Sequence, residues 1–427
     1  MYYIIETEDQ LEQFLKKNIK EAFVEIITYN DKVHPVLNKL SLIYIRAIVG
    51  SKKGYIFSHS HNESLALNKT DIEKILKSLD KIWVRDYKNF IYYFPSIKKC
   101  IDIYRNDYIE PTTSAHKYYY HNHKNLPYIN KLIPISKHYE RCEELFVINK
   151  PYFAIKNINS FHNKASIVFF MIENNGIYLD KNIFDKHYDL YNESFNITDN
   201  TIYSHYNLYT TTGRPSNIYN GVNFAAINKT NGSRASFVPK EGNVFIEYDF
   251  KAYHPTLIAK LVGFELKDET PYEYLAKETG LDITEAKQVM LKCLYGGIYE
   301  EYKHLEYFKK IQEYIDIKWK EFEEEGFIIC PISGHVFNKN ELKNMTPPKL
   351  LSYIIQNLET SNNVLIMWDI IKLLRGKNTQ IVLYTYDSFC LDVDETENDV
   401  IDSIEQIFMK NKLKTTKKYG NSYEFKQ

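Results

Sequence analysis

Two apolar runs far apart in the chain each end in an aspartate, and that pairing constrains the fold more than any other feature. Val244, Phe245 and Ile246 read as the core of a strand that delivers Glu247, Tyr248 and Asp249 at its end. FKAYHPTLIAKLVG follows at once and reads as the start of a helix. Much later, IVLYTYDSFCLDV reads as a pair of strands with Asp387 and Ser388 at the turn between them. If the two segments lie side by side in one sheet, Asp249 and Asp387 face the same space, and two carboxylates so placed can hold divalent cations. In isolation, an aspartate at a strand end is equally at home as a turn or cap residue. The segments between the two therefore decide the reading.

The first such segment is LDITEAKQVMLKCLYGG, Leu281 to Gly297. Asp282 is placed as an N-cap with Glu285 three residues later, the spacing of a capping box. Within the helix Lys287, Leu291 and Tyr295 share one face, while Val289, Met290 and Cys293 fall on another. A lysine one turn from an apolar residue and two turns from an aromatic can grip a triphosphate and shape a pocket for a base. The same pattern also describes an ordinary amphipathic helix with a solvated lysine.

At 427 residues with 44% hydrophobic content, the chain has material for two or three packed units. Its 54 basic and 55 acidic residues nearly cancel, so a nucleic-acid partner needs a local basic surface. The 37 tyrosines and 24 phenylalanines carry no functional weight, because an AT-rich genome accounts for them. Apolar runs such as Ala165 to Ile172 and Val364 to Ile371 are too short to cross a bilayer, and MYYIIETEDQ has no basic segment before an apolar one. A soluble, cytoplasmic protein with no membrane partner is expected. Cys100, Cys142, Cys293, Cys330 and Cys390 lie without a CxxC pair, so neither a zinc site nor a disulfide framework is indicated.

Residues 1–107 alternate as an α/β unit: a helix over Glu8 to Lys17, strands at Ala22 to Thr28, Leu40 to Val49 and Gly54 to Phe57, and a helix over Lys69 to Leu79. The polar stretch Glu110 to Leu126 has no period and reads as a linker, its His116, His121 and His123 solvated, with metal ligation as the alternative. Helical character returns from Tyr139 to Tyr191, with Gly176 as a helix stop. A Gly- and Asn-rich loop, Thr210 to Asn231, leads into NVFIEYD and a helical run, and strand-like residues are expected again only at Gln380 to Asp392.

In order and wording, these segments resemble the family A DNA polymerases over roughly Ser166 to Val393. ENNGIYLD (173–180) is similar to the E-x-x-G-I-x-x-D segment of that family, and TTGRPSN (211–217) to its T-G-R-x-S element. VNFAAIN resembles the P-N-L-Q-N-I-P stretch, and SRASFVPKEGNVFIEYDF resembles I-R-x-x-F-x-P-x-x-G leading to the motif A aspartate. Lys287, Tyr295 and Gly296 keep the K-x7-Y-G spacing of motif B, and YDSF (386–389) stands where motif C lies.

The resemblance implies an α/β (α+β) chain with a right-hand fold of palm, fingers and thumb, preceded by a small RNase H-like exonuclease-type α/β domain. The implied boundaries are 1–110 for that domain, 111–200 for a linker and thumb-like helices, and 201–427 for palm and fingers, the fingers over about 272–345. Asp249 and Asp387 would be the catalytic carboxylates, binding two Mg²⁺ ions (Mn²⁺ as the alternative) with help from the Phe250 carbonyl. Lys287, Leu291, Tyr295, His254 and Arg234 would bind the nucleotide. Arg214 and Asn223 would contact the primer-template minor groove, and Gln356 the primer end. The implied partners are primer-template DNA and dNTPs, with any replication accessory proteins unidentified.

The sequence also departs from that pattern. Motif A normally has a Glu five residues after its Asp, screening the sugar 2′ position, where this chain has His254. Ile283 replaces an Arg before the motif B lysine, and Leu291 replaces an aromatic. Motif C reads Tyr386-Asp387-Ser388 without its His and Glu, and its DSF wording resembles the single-subunit RNA polymerases. RNA or primer synthesis, or non-catalytic primer-template binding, is therefore the alternative to DNA synthesis. In the amino-terminal unit, FVEIIT supplies Glu25 alone where a nuclease needs Asp-x-Glu, and Asp86, Lys88 and Asp102 resemble remnants of a second motif. An inactive exonuclease-like domain is expected, with a divergent active one as the alternative.

Overall fold

The computed structural model describes residues 2–30, 33–103, 130–154, 160–188, 197–217 and 222–425. His116, His121 and His123 lie outside the described residues. The chain packs as two compact units, Met1–Phe170 and Met171–Gln427.

In the first unit, β1 (Tyr3–Ile5) precedes α1 (Glu8–Leu15), whose N-terminus is closed by a capping box between Thr7 and Gln10. Strands β2 (Glu21–Thr28), β3 (Leu40–Ala47) and β4 (Tyr55–Ser58) follow, then α2 (Lys69–Ser78), β5 (Lys81–Val84), α3 (Tyr87–Tyr93) and β6 (Cys100–Asp102). They form one sheet in the order β1-β4-β3-β2-β5-β6, in which β3 runs antiparallel to both neighbours and the other pairs are parallel.

Strand β2 is apolar at successive positions because both faces of this sheet are covered. Val24 packs with Leu11, Phe14, Ile72, Ile75 and Phe90 from α1 to α3. Phe23 packs on the opposite face with Cys142, Leu145, Phe146 and Tyr152, supplied by α4 (Ile135–Asn149) and the turn after it. Each such side chain, fully buried, contributes about 1.5–3 kcal/mol. Within the compact unit Met1–Phe170, α4 thus covers the second face of β2.

Helix α5 (Ser160–Asn175) ends where the sequence placed its stop. Gly176 has φ +63°, and a Cβ there would lie 2.5 Å from Thr201 Cγ2. In the second unit, β7 (Ile177–Leu179) leads to α6 (Lys181–His187), β8 (Ile197–Thr198) and β9 (Thr201–Ile202), and joins β12 (Phe237–Val238) in a small sheet ordered β12-β7-β9-β8. β10 (Tyr206–Asn207) and β11 (Ser216–Asn217) pair around the TTGRPSN loop.

The central sheet is built from β13 (Asn243–Phe250), β16 (Gln380–Tyr384), β17 (Ser388–Asp394) and β18 (Thr415–Gly420), antiparallel throughout in the order β16-β17-β13-β18. Alternation along β13 divides its side chains. Tyr248 and Phe250 pack with Phe389 against Phe408 of α12 (Asp399–Lys410), leaving Phe245, Glu247 and Asp249 on the other face.

Between β13 and β16 the chain forms α7 (Tyr253–Leu261), α8 (Pro271–Thr279), α9 (Ile283–Gly296), α10 (Glu306–Glu325) and α11 (Pro347–Leu373). Ala286, Met290, Cys293 and Leu294 of α9 join Leu275, Phe308, Ile311, Leu351 and Ile355 in one core, so the buried and exposed faces of α9 fall as its periodicity predicts. The capping box at Asp282 and Glu285 is present.

Contrary to the expectation that strand structure returns only at Gln380, β14 (Phe327–Ile329) and β15 (Val336–Asn338) form a hairpin after α10. Three-residue strands are too short to carry a readable alternation. Strand β18 was also unmarked, since TTKKYG is a polar edge strand with one paired side. Among the described residues, no helix is long and apolar enough to cross a membrane.

Candidate active site

The register of the central sheet brings the two aspartates together. Asp249 stands opposite Ser388 across the β13–β17 pair, and the Phe250 N–H donates to the Asp387 carbonyl at 2.9 Å. Asp387 is exposed at the end of the β16–β17 turn and Asp249 is half-buried beside it. Backbone strain flanks both: Ala252 has φ +47° and Tyr386 has φ +71°, left-handed conformations that cost non-glycine residues energy and concentrate at functional sites.

Both carboxyls are held above the ordinary aspartate range. For Asp249, burial comes first, then the charges of Asp387 and Glu247, with Lys418 and Lys229 pulling the other way. Asp387 is raised by desolvation from the protein packed around it and then by Glu359, and is relieved by a hydrogen bond to its own backbone and by Arg214 and His254. Two acids that oppose each other's ionisation form a donor set suited to a divalent cation, which would remove the repulsion.

These groups open on a cleft of about 640 Å³ whose walls include Asp249, Asp387, Glu247, Lys229, Arg234 and Lys418. Lys418 pairs with Glu247 at 2.8 Å from the facing position on β18. The Arg234 guanidinium lies 4.7 Å over the Tyr423 ring and donates to the Ile227 carbonyl at 3.3 Å.

A second group of side chains gathers on the Glu359 carboxylate, which is fully buried on α11. Arg214 Nε is 2.8 Å from Glu359 Oε2, and His254 Nε2 is 3.3 Å from Oε1. His254, near the start of α7, shares a hydrogen bond through Nδ1 with the Tyr295 hydroxyl on α9. The Arg214 guanidinium lies 3.8 Å over the ring of Tyr386, the residue before Asp387. Burial, and then Glu359, pushes the Tyr295 phenol up to about 12. Gly213 holds the Arg214 loop in place with φ +70°, where a Cβ would meet Asn357 Nδ2 at 2.7 Å.

No protein-family model and no curated protein matches the chain. Among solved structures, the chain is similar to the POL domain of Pol1 from M. smegmatis in complex with DNA primer-template and dNTP, with a TM-score of 0.72 over 99% of this chain and 99% of that one at 12% sequence identity. The fold is that of a family A polymerase domain.

Within this polymerase fold, the residues singled out from the sequence fall into three sets. Asp249, Asp387 and Arg234 line one cleft. His254, Tyr295 and Arg214 meet around Glu359. Of the others, Lys287 is exposed on α9, one turn from half-buried Leu291 and two from exposed Tyr295, and Asn223 is exposed ahead of the short turn Phe224–Ala226. Phe250 is buried, its ring stacked 4.5 Å from Tyr253. Gln356 bonds Ser352 Oγ on its own helix at 3.2 Å, and it is Glu359, three residues further on, that reaches Arg214 and His254.

Sequence reasoning passed over Glu359, Glu247, Lys229 and Lys418. Glu247 was recoverable, because two residues along a strand return to the same face as Asp249. Glu359 also left a trace as an acid midway along the largely apolar α11, at a position where burial requires a partner.

Proposed function

We propose that the chain is a template-directed DNA polymerase that extends a primer 3′-hydroxyl with deoxynucleoside triphosphates, in replication or repair synthesis. The observation that carries this reading is the pair of repelling carboxylates, Asp249 on β13 and Asp387 in the turn entering the adjacent antiparallel β17, beside a cleft lined with cations. Similarity to a polymerase domain holding primer-template and dNTP supports the choice of partners.

Asp249 and Asp387, with the Phe250 backbone, would hold Mg²⁺. When bound, such ions lower the pKa of the attacking hydroxyl and neutralise charge on the leaving pyrophosphate. The chain's own residues do the rest. Lys287 and Arg234 bring positive charge to the triphosphate, while Tyr295, Leu291 and His254 shape the pocket for base and sugar. Arg214 and Asn223 contact the minor groove, and Lys229 meets backbone phosphates, so affinity falls steeply with salt. Base pairing supplies sequence choice.

The first unit reads as an exonuclease-type domain without its chemistry. Glu25 is nearly buried and bound in a two-pronged ion pair by Arg85, whose Nε donates to Oε2 at 2.7 Å. Asp86 caps α3 and Asp102 accepts the Tyr87 N–H at 3.0 Å. A guanidinium already neutralises the carboxylate a nuclease metal would need.

The test is extension of a labelled primer-template in Mg²⁺ by the wild type, Asp249→Ala and Asp387→Ala, alongside duplex binding. Loss of extension with binding retained in both variants is the expected result, and extension by either variant would refute the assignment.

A further inference from the structure

Glu359 joins two otherwise separate parts of the site. A carboxylate with no solvent exposure needs compensation, and Glu359 draws it from both Arg214 and His254. On one side, the chain of contacts runs from Glu359 to His254 and on to the Tyr295 hydroxyl on α9. Nε2 faces the carboxylate and Nδ1 the phenol, so the one ring spans both groups. On the other side, it runs from Glu359 to Arg214, stacked on Tyr386 beside Asp387. Tyr295 is 39% exposed, so its ring borders open space while its hydroxyl is tethered.

We propose that Glu359 is the positioning residue of the nucleotide pocket: it fixes Tyr295 through His254, and Arg214 directly, in one arrangement beside Asp387, and so sets which sugar the pocket admits. This rests on the polymerase reading. A nucleotide whose α-phosphate lies at Asp249 and Asp387 carries its sugar one group further out. Arg214 lies over Tyr386, the residue before Asp387, and His254 bonds Tyr295, so the group they form stands next to Asp387, where that sugar would lie. Glu359 touches no substrate and acts only through its partners.

The experiment is steady-state single-nucleotide extension with a dNTP and with the matching rNTP, by the wild type, Glu359→Gln, Tyr295→Phe, His254→Glu and the double variant H254E/E359Q, with thermal melting of each. Glu359→Gln is expected to raise the dNTP KM and to lower the dNTP-over-rNTP ratio of kcat/KM by about tenfold, the effect of losing one charge-assisted hydrogen bond. Tyr295→Phe, which leaves the buried charge untouched, reproduces the loss of discrimination. His254→Glu sets two carboxylates against each other and does worse, and the double variant recovers because one carboxylate is again left in the pair. Wild-type KM and discrimination in folded Glu359→Gln or in Tyr295→Phe would overturn the proposal, as would a double variant no better than His254→Glu. A wild type that extends with neither nucleotide would overturn the polymerase reading itself, and this inference with it.

Discussion

Asp249→Asn tests the electrostatics of the site without any reaction. Asp249 stands opposite Ser388, next to Asp387, and both aspartates line one cleft, so a separation on the order of 7 Å sets the scale of their repulsion. Two unit charges at about 7 Å repel by roughly 0.6–2.4 kcal/mol at effective dielectric constants of 80 to 20. Lys418 and Lys229 attract Asp249 and offset part of this, leaving a net cost of about 0.5–1.5 kcal/mol for the ionised residue without metal. Asparagine keeps the shape and removes the charge. In EDTA the variant should be more stable than the wild type by that amount, roughly 1–6 °C in melting temperature for a unit of this size.

The sign follows from linkage. The folded carboxyl holds its proton more tightly than the unfolded one, so the penalty grows as pH rises from the ordinary aspartate range through the raised pKa, and the advantage of Asp249→Asn vanishes in acid. Mg²⁺ should reverse the order by stabilising the wild type and not the variant. Thermal melts across pH, in EDTA and in Mg²⁺, measure all three effects. A variant less stable than the wild type in EDTA at neutral pH, or stabilised as much by Mg²⁺, would refute the reasoning.

Two further substitutions probe the scaffold. Arg85→Ala strands the nearly buried Glu25 charge and should cost about 3–5 kcal/mol in urea denaturation, whereas the double variant R85M/E25L should be close to neutral; a loss below 1 kcal/mol on Arg85→Ala would contradict a structural role for the pair. Gly213→Ala forces a left-handed conformation on alanine and a clash with Asn357, so it should cost about 1–3 kcal/mol and weaken primer-template binding by displacing Arg214, and unchanged stability would show that the loop is not held as described.

What the sequence revealed, it revealed through local periodicity. Apolar residues ending at Asp249 marked β13, the Asp282 and Glu285 spacing marked the start of α9, and Gly176 marked the end of α5. Asp249 and Asp387 were each visible as strand ends, and the register that joins them followed once both strands entered one sheet. Less legible was whatever depends on tertiary partners. Helix α4 shows apolar spacing on its own, but nothing in it says that it closes the second face of the first sheet. Glu359 is a single acid whose meaning comes from Arg214, 145 residues away in the chain, and from His254. Gln356, chosen by motif likeness, turns toward its own helix because its neighbour one turn away is Ser352. The replacement of a motif Glu by His254 looked like a lost carboxylate, yet the structure supplies one to the same ring from α11.

The most direct test of the central claim is extension of a labelled primer-template by the purified protein with Mg²⁺, with deoxynucleotides in one series and ribonucleotides in another. Template-directed growth with deoxynucleotides, and little or none with ribonucleotides, is the expected result. Growth with ribonucleotides alone would make the chain an RNA-synthesising enzyme, and no growth despite tight duplex binding would mean that Asp249 and Asp387 do not support nucleotidyl transfer.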